Sequence, residues 1–124
     1  MRTNNVMYFT EKEEEFVNLL IEIGTKRNIA RVLVFLANIP EATSREIERG
    51  TDLRQPEVSI AMWFLTEQGW IRNRESKDES KGRPIKIYEL AKPITEILDS
   101  IEKKKEKEVN NQLAQIQKLR EYVR

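Results

Sequence analysis

The sequence contains no cysteine and no histidine. That excludes disulfide frameworks, zinc fingers, iron–sulfur sites, thiol nucleophiles and every His-based catalytic triad. Carboxylates alone remain as side-chain metal ligands. Glycine and proline are scarce, four of each in 124 residues, and they supply no glycine-rich phosphate loop. No stretch approaches the ~18 apolar residues of a membrane span. The first residues, MRTNNVMYFTEKEEE, lack the apolar core of a secretory signal. A large excess of charge is also missing: 22 Lys+Arg against 21 Asp+Glu leave a net +1. This rules out a simple polybasic protein but not a locally basic face. These absences lead us to expect a cytoplasmic protein with no cofactor, no metal and no membrane partner.

What is present is helical punctuation. Thr10 and Glu13 have capping-box spacing, and Phe16, Leu20 and Ile23 follow at helical intervals until Gly24. Thr25 is placed to cap a second helix with Ile29, Val32, Leu33 and Leu36 on its apolar side, limited by Pro40. Thr43 and Glu46 form another capping box, opening a short helix through Ile47 to Gly50. After residues 51–54, Pro56 lies in the first turn of a fourth helix, with Val58, Met62 and Leu65 along one side and Gly69 at its end. Residues 70–75 and 84–90 then read as two antiparallel strands around a polar loop, SKDESKGR, at 76–83. Pro93 begins a last helix of roughly 30 residues, ~45 Å at 1.5 Å per residue. The fold expected is mainly α with a small β-hairpin. Residues 1–92 would form one domain and residues 93–124 a C-terminal helix.

The segment SREIERGTDLRQPEVSIAMWFLTEQGWI carries the functional signal. Ile47, Leu53, Val58 and Leu65 can fix the angle between two helices, with Gly50 permitting the tight turn of a helix-turn-helix. Arg54, Gln55, Glu57 and Ser59 then occupy the N-terminal end of the second helix, the part that enters a major groove. Arginine and glutamine can each make paired hydrogen bonds to base edges. Arg45, on the preceding short helix, joins them as a candidate DNA contact.

Residues 26–90 resemble an archaeal or bacterial winged helix-turn-helix transcription regulator of the MarR, ArsR or TrmB kind. TDLRQPEVSIAMWFLTEQGWI followed by KGRPIKIYEL carries the likeness, through Leu53, Val58, Ser59, Leu65, Gly69, Ile71, Gly82, Arg83, Pro84 and Tyr88. The chain departs from the pattern at Asp52, where glycine is common, and at Ile60 and Trp63, where polar groups often face DNA. The resemblance implies a three-helix core plus wing, binding of double-stranded DNA, and a homodimer. It leaves operator, target genes and any small-molecule effector open. The lack of His and Cys argues against a soft-metal sensor.

From Trp70 to Lys92 there are seven basic residues and four acidic ones, a net +3 in a nearly neutral chain. Lys81 and Arg83 flank Gly82 at the wing tip, and with Lys86 they are expected to hold the flanking phosphates. Trp63 and Phe64 are expected within a broad buried face, Phe64 reaching the first or last helix. A ligand pocket or an aromatic contact with DNA or a partner is the alternative. On the last helix, Ile94, Leu98 and Ile101, then Val109, Gln112, Ile116, Leu119 and Val123, mark a coiled-coil-like seam interrupted by EKKKEKE. Dimerisation is assigned to Phe16, Leu20, Leu98, Ile101, Val109, Ile116 and Leu119, with fold-back onto the chain's own first helix as the alternative. The glutamates at 13–15 suit the helix dipole better than catalysis, and no enzyme is expected. The competing function is a winged helix used as a protein–protein interaction module in a transcription or chromosome-associated complex.

Overall fold

The computed structural model describes residues 9–78 and 83–124, with backbone alone at 77, 78 and 83. Helix α1 (Glu11–Glu22) opens as its sequence demands. The Glu13 N–H donates to Thr10 Oγ1, and the Thr10 N–H donates to the Glu13 carboxylate at 2.7 Å. Val17 and Leu20 form its buried line. Phe16 is only half-buried and Ile23 is exposed, because Ile23 sits at the C-cap, where the chain leaves the helical phase.

Helix α2 (Arg27–Asn38) is capped at Lys26, without a side-chain bond, and not at Thr25. Thr25 instead closes α1. Past Gly24 (φ 107), its N–H donates back to the Leu20 carbonyl. Helix α2 is buried at Ile29, Ala30 and Val32–Leu36, nearly all round, as a central helix must be.

A two-residue strand, β1 (Ala42–Thr43), leads into α3 (Ser44–Thr51), and α4 (Gln55–Glu67) follows. Thr43 and Glu46 form the expected capping box. Helix α4 ends where Gly69 turns at φ 76 and the Trp70 N–H donates to the Leu65 carbonyl, a Schellman closure.

Strands β2 (Ile71–Asp78) and β3 (Arg83–Leu90) pair in register from Ile71↔Leu90 to Asp78↔Arg83. The ladder therefore extends into the segment expected to be loop. The sheet has three strands, ordered β1-β3-β2, because Ala42 and Thr43 pair with Tyr88 and Ile87. The chain divides into two compact units at Lys92/Pro93. The second holds α5 (Ile94–Tyr122), a single 29-residue helix.

Candidate nucleic-acid interface

The turn between α3 and α4 is built by residues other than the expected glycine. Gly50 lies within the last turn of α3. A Cβ there would overlap the Phe35 ring, 2.6 Å from Cζ and 2.7 Å from Cδ1, so its hydrogen is what lets α2 and α3 approach. The left-handed residue is Asp52 (φ 56, ψ 40), at the C-cap of α3. The Leu53 N–H then donates to the Glu48 carbonyl, and Leu53 is buried.

Arg31 of α2 secures this turn. Its Nε donates to the Thr51 carbonyl at 2.8 Å, its Nη1 reaches the Glu14 carboxylate at 3.2 Å, and the guanidinium lies 4.6 Å over the Phe9 ring. Thr51 is itself fully buried, its hydroxyl bonded to the Ile47 carbonyl at 2.6 Å. Asn28 adds a second strut, donating from Nδ2 to the Glu57 carbonyl at 3.0 Å. Helix α2 thus holds the end of α3 and the start of α4 by polar bonds as well as by packing.

Helix α4 turns Val58, Ala61, Met62 and Leu65 inward. Gln55 and Ser59 are exposed and bonded to each other, Nε2 donating to Oγ at 2.7 Å. Arg54 is exposed at the N-cap. The Glu57 carboxylate accepts from the Arg54 N–H at 3.1 Å, so this side chain is engaged in capping its own helix. Arg45 is exposed on α3.

The broad buried face expected around Trp63 is not found. Trp63 is 66% exposed and Ile60 59% exposed. Ala61 fills the inward position that a larger residue on this phase would otherwise take, and hydrophobicity alone does not report that phase. Phe64 is half-buried and meets Trp70 edge-on, with ring centroids 6.1 Å apart.

On the hairpin, Lys86 is exposed opposite Glu75. Lys81 and the side chain of Arg83 lie outside the described residues. Among the described residues two hairpin cations are internally paired: Arg72 with Glu89 and Arg74 with Glu41, each at 2.7 Å. The second of these pairs links β2 to the segment entering β1.

No family model matches the sequence, and no curated protein matches it. Solved structures do match. A protein of Methanosarcina mazei Go1 described as a possible transcriptional regulator superposes with a TM-score of 0.60, covering 93% of this chain and 97% of that one at 16% identity. A MarR family regulator from Neisseria meningitidis gives 0.50 over 89% and 84% of the two chains at 22% identity. The transcriptional regulator PA3341 gives 0.52 over 81% and 71%, also at 22% identity.

The fold is a winged helix. Within it, α4 is the helix that follows the turn and β2–β3 is the wing. The short strand β1, invisible in the sequence pattern, completes the wing's sheet.

The residues assigned to dimerisation fall into different environments. Leu20 is buried within its own chain at 2% exposure, whereas Leu19, Ile21 and Ile23 of the same helix are exposed. Leu98 and Ile101 are half-buried. Val109, Ile116 and Leu119 are exposed on α5, together with Leu113, which the seam pattern missed. Its spacing of four from Val109 and three to Ile116 is the signal that would have found it. Among the described residues no group of three or more carboxylates is placed to hold a metal ion, and no helix is long and apolar enough to cross a membrane.

Proposed function

We propose that this winged helix is a sequence-specific, double-stranded DNA-binding transcriptional regulator that acts as a homodimer. The observation that carries the reading is the outward N-terminal half of α4. Gln55 and Ser59 face solvent there, beside the exposed Arg54, on a helix whose opposite side is locked to α2. A helix so held can enter a major groove as a rigid probe, with paired hydrogen-bonding groups leading. Arg45 and Lys86 are exposed cations on the flanking elements, and in this reading they, with Lys81 and Arg83 of the wing, meet phosphates.

The homodimer is supported by α5. From Val109 to Val123 its apolar residues are exposed, at spacings of four, three, three and four. A stripe of that period on a solvated helix is one side of a helix-helix seam. In this reading Phe16 and Leu20 of α1 and Leu98 and Ile101 of α5 belong to the dimer as well. Two copies of α4 then face two half-sites about one helical turn, or a multiple, apart.

The test is binding to duplex DNA measured across salt concentrations. If each subunit neutralises about four phosphates, log K falls with log salt at a slope near −7, with two chains per duplex by sedimentation. A slope near zero, or one chain per site, would refute the reading.

A further inference from the structure

The outer surface of α4 has an unusual chemical make-up for a helix that reads DNA. Between Gln55 and Glu67 it carries no lysine and no arginine. The commonest specific contact in a major groove, a basic side chain on the O6 and N7 of guanine, is therefore unavailable along its length. At about 100° per residue, Gln55, Ser59, Trp63 and Thr66 share one outward stripe, with Ile60 at its border. All five are exposed.

Gln55 is not loose on this stripe. One of its amide hydrogens is engaged by Ser59 Oγ at 2.7 Å, and among the described residues its carbonyl oxygen and second amide hydrogen have no partner. That remainder, one acceptor beside one donor, is the pattern that adenine N6 and N7 require. Ser59 thus fixes the plane of the amide. The thymine 5-methyl is the one apolar group that base pairs display in the major groove. Exposed Ile60 and Trp63, on the same side of the same helix, meet an apolar surface there in no other way. Exposed Pro56 precedes Ile60 by four residues and Trp63 by seven, so the three adjoin, with Gln55 and Ser59 running along one side of them.

We propose that the α4 stripe reads A·T base pairs. Gln55, positioned by Ser59, bonds an adenine edge, and Ile60 and Trp63 pack on thymine methyls. The proposal rests on the DNA-binding reading above and adds which bases are read.

The full chain is used to select sites from random-sequence duplexes, and binding is then measured by fluorescence anisotropy with each thymine of the selected site replaced by uracil. The expected sites have A·T pairs at the centre of each half. Deleting a contacted methyl weakens wild-type binding about fourfold, the worth of one buried methyl-sized group. Trp63→Ala and Ile60→Ser bind more weakly and no longer distinguish uracil from thymine at their positions. Both side chains are exposed, so neither change unfolds the protein. Ser59→Ala lowers discrimination of adenine against guanine while leaving the salt slope unchanged. Sites centred on G·C pairs, or uracil and thymine bound equally within twofold, overturn the A·T reading and leave DNA binding intact. Failure to bind any duplex, with Trp63 engaged instead by a protein, overturns both.

Discussion

Gly50→Ala separates two opposed physical effects, and the structure determines which prevails. In an unconstrained helix interior, replacing glycine by alanine gains about 1 kcal/mol, because the unfolded chain loses freedom it would otherwise give up on folding. Gly50 is helical, so propensity alone predicts a more stable protein. The added methyl, however, lands within 2.6–2.7 Å of two Phe35 ring carbons and overlaps a third. Phe35, on the central helix α2, is 3% exposed, so its ring has no open space into which to swing. Overfilling of this kind costs about 2–3 kcal/mol when the neighbour is an aromatic ring within a packed core. Subtracting the propensity gain leaves a net loss of about 1–2 kcal/mol. Urea denaturation followed by the fluorescence of buried Trp70, at fixed protein concentration, measures it. Phe35→Leu supplies the second arm. Alone it removes ring contacts and costs about 1–3 kcal/mol. In the Gly50→Ala background it opens the space the methyl needs, so its cost shrinks by about 1–2 kcal/mol. A raised midpoint for Gly50→Ala, or strictly additive effects, would refute the steric account.

Two further expectations come from the same region. Arg31→Leu removes the charge-assisted bond to the Thr51 carbonyl and the contact with Phe9; a loss of about 2–3 kcal/mol is expected by urea denaturation, whereas Glu14→Gln, which breaks only the half-exposed ion pair, costs a few tenths. Equal losses in the two variants would show that the ion pair, and not the Thr51 bond, holds the turn. Asp52→Gly relieves a left-handed residue at the end of α3 and should raise stability by about 1 kcal/mol; a lowered thermal midpoint would mean that the Asp52 side chain makes a stabilising interaction of its own.

The parts of the fold that can be read from the sequence are those whose partners are close along the chain. The Thr10–Glu13 and Thr43–Glu46 boxes need two residues three apart, and both form. Pro56 and Gly69 likewise act on their own helix. What cannot be read depends on distant neighbours. Gly50 matters because of Phe35, on another helix. Strand β1 exists only because Tyr88 and Ile87 lie beside Ala42 and Thr43. The outer ladder of β2 and β3 carries polar residues such as Arg74, Glu75 and Lys86 in solvent, so no alternation of burial marks it as strand. In the candidate site, Gln55 and Ser59 are recognisable by residue type, but their mutual bond is not. Ile60 and Trp63 mislead because their hydrophobic character suggests burial while their helical phase points outward.

Thr43 belongs to two structures at once. Its backbone lies in the sheet opposite Ile87 of the hairpin, and its hydroxyl starts α3. The hairpin's root and the helix pair are consequently pinned at a common point, and Arg74 braces the same corner through Glu41. A swing of the hairpin about that pin would have to unwind the first turn of α3. Under the DNA-binding reading proposed above, the hairpin and the helix pair would then behave like the jaws of a fixed-gauge caliper: a helical track of unsuitable width would itself have to deform, since the jaws do not open to meet it.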